Sequence, residues 1–146
     1  MWSTSDPFTV TVLPSMLERR RGHLVNVASI AGKMGVGHHT HYSATKFAMV
    51  GFSEALWFEL RDTGVGITVV YPGVIGTPLV GHKSFADFPS ANRARMNPVR
   101  PLSEGILRAM ETNRFEVTVP RYMGLGTVIR HIWPSFFRRM AVRQGG

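Results

Sequence analysis

Apolar positions along this 146-residue chain fall into short unbroken runs and longer helix-spaced stretches, separated by glycine and proline. His23 to Ala28 and Gly66 to Tyr71 are too apolar for simple alternation and read as buried strands. Phe47, Val50, Phe52, Ala55, Leu56 and Leu60 supply apolar faces to a helix from about His41 to Asp62, closed by Thr63-Gly64. Further on, Ser103 predicts a cap for a helix from Glu104 to about Thr112, with Asn113 at its end. Phe115 to Val119 alternates as a third strand, and Met123 to Arg143 reads as a helical tail broken by Pro134. Strand, helix, strand, helix, strand is the pattern of an α/β fold with a parallel sheet.

Two segments carry mixed signals. Asp6-Pro7 suits a helix start, because Asp accepts backbone N–H bonds and Pro fits the first helical position. The following Thr9-Val10-Thr11-Val12 is β-branched and favours strand locally. From about Gly73 to Pro101 the chain is irregular and carries Pro78, Pro89, Pro98 and Pro101.

Composition narrows the class. Residues 1–146 fit one domain, and a chain this long buries about 68–70% of its unfolded surface. No apolar stretch reaches the roughly 18 residues of a membrane span, and Met1 to Asp6 does not look like a signal peptide. With no cysteine there is no disulfide framework and no thiolate zinc site, and we expect a reducing cytoplasm. The net charge is +8, and from Arg114 onward six arginines face one acid, Glu116. No zinc-finger or RNP-type pattern accompanies that charge, so nucleic acid is not the expected partner. The tail mixes Ile129, Ile132, Trp133, Phe136 and Phe137 with Arg130, Arg138 and Arg139, a composition suited to a membrane interface as well as to docking on the protein's own core.

The candidate chemistry centres on Tyr42-Ser43-Ala44-Thr45-Lys46. Residues four apart share a helix face with Cβ atoms roughly 5–6 Å apart. A cation beside a phenol favours the phenolate, so Tyr42 and Lys46 form a candidate acid/base pair. Ser29 closes the first apolar run, at the carboxyl end of a strand, where ligands bind in open α/β sheets. Pro72-Gly73 ends the second run in the same way, and glycine there permits close backbone approach.

Taken together, a serine after a buried strand, a Tyr-x-x-x-Lys helix and a Pro-Gly turn followed by a threonine resemble the second half of a short-chain dehydrogenase/reductase. The resemblance runs from about Leu13 to Arg121, with 122–146 as a basic helical tail. It implies the carboxyl-terminal portion of a doubly wound, Rossmann-like parallel sheet of about three strands with flanking helices, including a helix from Asp6-Pro7 to about Arg20 kinked at Pro14. It further implies hydride transfer between NAD or NADP and a carbonyl or secondary alcohol. Ser29 would bond the substrate oxygen, Tyr42 would exchange its proton, and Lys46 would support Tyr42 and hold the nicotinamide ribose. Pro72 and Gly73 would pack on the nicotinamide, the Ile75 backbone would bond its carboxamide, and Thr77 would also contact it. Phe85, Phe88 and Met96 hint at an apolar substrate.

The resemblance also defines what Met1 to Leu13 does not supply: the glycine-rich turn that receives the pyrophosphate, the residue that selects NAD or NADP, and the family's catalytic asparagine. Without the preceding strands, His23 to Ala28 becomes a sheet edge. We therefore expect a homo-oligomer or a partner that completes the sheet, or else an inactive remnant that associates with a longer relative. Other site readings fail on their own patterns. Gly32, Gly35 and Gly37 do not open directly into a helix as a dinucleotide fingerprint requires. His38, His39 and His41 lack a nearby acid, so no metal site is expected. Ser29, Asp87 and His131 follow a hydrolase order, but the glycines of a nucleophile elbow are missing around Ser29.

Overall fold

The computed structural model of the chain describes residues 7–78 and 96–144. Their elements are α1 (Pro7–Glu18), β1 (Gly22–Val27), α2 (Thr40–Glu59), β2 (Val65–Pro72), α3 (Arg100–Glu111), β3 (Glu116–Val119), α4 (Met123–Ile132) and α5 (Pro134–Gln144). A short 3-10 turn, Ile30–Gly32, links β1 to α2. The strands form an open parallel sheet in the order β1-β2-β3, with Leu24 opposite Ile67 and Val69 opposite Glu116. This is an α/β, Rossmann-like architecture.

The centre of the sheet is the centre of the core. Every residue of β2 from Val65 to Tyr71 is buried. Fully burying a side chain such as Ile67, Val69 or Val70 stabilises the fold by about 1.5–3 kcal/mol each, which offsets much of the roughly 1–2 kcal/mol per residue that ordering the backbone costs. Alternate side chains point to opposite faces. Leu24, Val65 and Ile67 therefore meet Leu13 of α1 and Leu56 and Leu60 of α2 on one face. Gly105 of α3 lies against Val117 and Val119 of β3 on the other.

β1 departs from the expected buried strand. Leu24 is its one buried residue, and Val27 at its end is exposed. The physical reason is its place at the edge, with the sheet extending on one side alone. The local strand preference of Thr9 to Val12 also gives way to tertiary packing, since Val12 and Leu13 join the helical core. Pro14 stays inside α1 without ending it. The α3 helix begins a turn earlier than expected. Pro101 occupies its first turn, where proline's missing N–H has no helical partner to lose, and Ser103 bonds the Arg100 carbonyl instead of capping. The tail breaks at Pro134 as the pattern predicts.

Candidate active site

The site grows from the carboxyl end of β1. Ser29 follows that strand with extended backbone (φ −175°), and its Oγ accepts the Ala31 N–H at 3.1 Å, capping the 3-10 turn. A hydroxyl that accepts one bond keeps its proton and a second lone pair for another group. Ser29 is buried, so its hydroxyl is set by the turn and not by solvent.

Helix α2 brings Tyr42 and Lys46 onto adjacent turns. Lys46 Nζ lies 5.6 Å from the centre of the Tyr42 ring. It donates to the Val27 carbonyl at 2.9 Å, which ties α2 to the end of β1. In a parallel ladder successive residues turn their backbone groups to opposite sides. Ala28 gives its N–H to Val70 of β2, so Val27 faces the open edge, and Lys46 holds a carbonyl that the sheet leaves unpaired. Burial lowers the Lys46 pKa, because a partly dehydrated ammonium is disfavoured. An ammonium has three donors, so two remain after the bond to Val27.

The loop between Ser29 and α2 is fastened along its length. A Cβ on Gly32 would lie 2.8 Å from the Lys46 backbone oxygen, so only glycine lets α2 come this close. Ser43 Oγ accepts the Val36 N–H at 3.1 Å, and the Ser43 N–H donates to His39. The sequence reading missed Gly32 and Ser43 as positioning residues. Their signal was a glycine just after the strand serine and a small polar residue beside Tyr42.

A second Tyr–Lys couple joins the same loop to β2. Lys33 Nζ sits 4.0 Å from the centre of the Tyr71 ring and pairs with Glu116 Oε2 at 2.8 Å. Tyr71 donates its hydroxyl to Glu116 Oε1 at 3.0 Å. Burial, and then the charge and hydrogen bond of Glu116, push the Tyr71 phenol well above its usual range. Arg130 of α4 donates to the Lys33 carbonyl and lies over the Phe47 ring, so the tail also braces the loop.

At the end of β2 the Gly73 N–H donates to Val119 at 2.8 Å. The space that a Gly73 Cβ would fill is taken by Met123 of α4, which explains the need for glycine through packing. Asn97 bonds both the Val74 carbonyl and the Gly76 N–H, which turns the backbone of Ile75 away from it. Thr77 gives its N–H to Ile75 and is exposed. Asn97 was another missed positioning residue; the pair Asn97-Pro98 was its only signal in the sequence.

Ser29, Tyr42 and Lys46 therefore belong to one fastened unit, and the Pro72 to Thr77 segment lies at the end of the neighbouring strand. The arrangement offers a buried hydroxyl, a phenol with an adjacent ammonium, and backbone groups at the carboxyl end of a parallel sheet. His39 turns its ring to the Gly37 carbonyl, while His38 and His41 are exposed. His131 bonds Thr127 within its own helix. Asp87, Phe85 and Phe88 lie outside the described residues.

Fold and site together define a Rossmann-like α/β protein with a Tyr-x-x-x-Lys helix beside a strand-end serine. The family model for short chain dehydrogenase matches residues 7–86, more than half of the chain, and the chain belongs to that family. An uncharacterized oxidoreductase of Myxococcus xanthus is 36% identical over 124 residues, covering 85% of this chain and 47% of the relative. The rat dehydrogenase/reductase SDR family member 7B is 32% identical over 142 residues, covering 92% of this chain and 44% of that protein. A short chain dehydrogenase from Burkholderia cenocepacia, solved in complex with NADP, superposes with a TM-score of 0.74 at 20% identity, over 91% of this chain and 52% of that one. The chain thus spans about half the length of the relatives that it matches.

Proposed function

We propose that this chain carries the proton-transfer half of a nicotinamide-dependent dehydrogenase/reductase acting on a carbonyl or secondary alcohol. The observation that carries the reading is Lys46 held between the Tyr42 ring and the end of β1, beside the strand that delivers Ser29.

The residues present fit the nicotinamide end of such a cofactor. Lys46 retains two donors for ribose hydroxyls, and the Ile75 backbone and Thr77 lie at the neighbouring strand end with Pro72 and Gly73. No described segment supplies the glycine-rich turn for a pyrophosphate. When bound, the cofactor would supply or accept the hydride.

This chain's own residues would do the rest. Ser29 Oγ–H would bond the substrate oxygen and fix its distance from Tyr42. Tyr42 would give its proton to that oxygen as negative charge develops there, or take it in the oxidative direction. Lys46 would stabilise the negative charge left on the phenol oxygen. General acid catalysis of this kind contributes roughly 10²–10⁴-fold. Holding the carbonyl in place adds to it by removing the entropy of encounter.

The edge position of β1 supports a joint with further structure. His23 and Val25 turn their backbone groups away from β2, and an added strand would pair with them. We read this edge as the place where a cofactor-binding half, or a second chain, completes the sheet.

Nicotinamide fluorescence tests the proposal. Titrating the chain with NADH and NADPH is expected to give a saturable change whose midpoint rises about 10- to 100-fold in Lys46→Met. Absence of any change at millimolar cofactor would contradict activity by this chain alone. Restoration on adding a sheet-completing partner would then identify the joint.

A further inference from the structure

The tail presents a surface that the catalytic reading does not use. Leu125, Val128 and Ile132 are spaced three and four apart, so they form one stripe along α4. They are 64%, 50% and 77% exposed, and Trp133 at the end of the stripe is 65% exposed. Trp133 stacks on the half-exposed Phe136 of α5, with ring centres 5.7 Å apart. The inner face of α4 is accounted for: Thr127 is buried, Met123 covers Gly73, and Arg130 reaches the Lys33 carbonyl. A helix docked on the core by one face, with its outer stripe apolar, has a second partner to satisfy.

We infer that the α4–α5 tail docks on an anionic membrane surface, laying the Leu125–Val128–Ile132–Trp133 stripe into the interface. Charge identifies the occupant. After Glu116 the chain has five arginines, Arg121, Arg130, Arg138, Arg139 and Arg143, and no acid. Arg121, Arg138 and Arg139 are exposed. An apolar stripe with Trp and Phe, flanked by arginine, matches an interfacial helix, and anionic headgroups attract such a segment. A second copy docked symmetrically would set these arginines against themselves. β1, the edge proposed above for extension of the sheet, is the far edge from β3, so extension there does not cover α4. The break at Pro134 lets α4 and α5 lie at an angle instead of spanning, and no helix among the described residues is long and apolar enough to cross a membrane.

Vesicle flotation of the full chain tests this. The chain is expected to float with vesicles of phosphatidylcholine containing phosphatidylserine, to float less with phosphatidylcholine alone, and to be released by salt. The double variant Ile132→Glu, Trp133→Glu should bind at least about tenfold more weakly. Leu107→Glu, an equally exposed apolar position on α3, serves as the control and should bind as the parent does. Failure of the parent to float with anionic vesicles overturns the inference. So does flotation that both variants retain, or a dimer in sedimentation that Ile132→Glu dissociates.

Discussion

Among the described residues there are two tyrosine–lysine couples, and their surroundings differ. In the couple of Tyr71 and Lys33, the ammonium lies 4.0 Å from the ring centre and one carboxylate, Glu116, binds both partners. The phenol proton is committed to Glu116, and burial beside that negative charge holds it there. In the couple of Tyr42 and Lys46, the ammonium is farther from the ring, at 5.6 Å, and its bond goes to a neutral backbone carbonyl. A carboxylate quenches the cation in the first couple, while a carbonyl leaves its charge intact in the second. On the proposed reading, proximity of a lysine to a tyrosine is therefore not what makes an acid/base pair. The third group decides.

The largest test of that contrast is to remove each lysine's charge. Lys46→Met should weaken cofactor binding about 10- to 100-fold, the loss of one or two charge-assisted hydrogen bonds. Lys33→Met should leave affinity within about threefold, yet lower stability by about 1–2 kcal/mol, because a partly exposed ion pair and a ring contact both go. Urea unfolding and fluorescence titration of the two variants measure both quantities. If Lys46→Met is the one that loses stability and keeps affinity, the roles are reversed.

Gly32→Ala pushes on the join between the two couples. Its Cβ would meet the Lys46 backbone, and relief by moving α2 should cost about 1–3 kcal/mol. A parent-like urea midpoint with parent-like cofactor affinity would remove Gly32 from the account. Asn97→Ala should cost less, about 1 kcal/mol, through loss of its side-chain bond to the Val74 carbonyl.

The smallest effects are in pH. Glu116→Gln removes the charge that opposes Tyr71 ionisation, so phenolate absorbance should appear at lower pH than in the parent. At the other end of the sheet, burial lowers the His23 pKa. Its Nε2 is 2.8 Å from Thr68 Oγ1, which itself donates to Arg114, so the neutral ring donates there. The unfolded chain takes a proton as pH falls below about 6.5 while the folded ring resists it. Stability from this group is complete above that pH and declines below it. The urea midpoint should therefore fall between neutral and mildly acid solution, and His23→Gln should flatten the decline.

One side of the contrast was legible in the sequence, and the reasons are local. The Tyr42–Lys46 spacing, the apolar strand of β2 and the Pro134 break all depend on neighbours in the chain. The Tyr71–Lys33–Glu116 cluster joins residues 45 and 83 positions from Glu116, and no periodicity records such a meeting. Gly32 and Gly73 were visible as glycines, but the bodies they admit, α2 and Met123, come from elsewhere in the fold. The β1 edge was expected from the family's layout, whereas its half-covered faces became plain only with the sheet order.

One measurement bears most directly on the division of labour between the two couples. Turnover of NADH or NADPH with a panel of ketones and aldehydes is followed for the parent chain, Tyr42→Phe and Tyr71→Phe, each confirmed folded. The account predicts that Tyr42→Phe falls by about 10²-fold or more while Tyr71→Phe keeps at least about half of the parent rate. Equal loss in both variants, or turnover that survives in Tyr42→Phe, would contradict it.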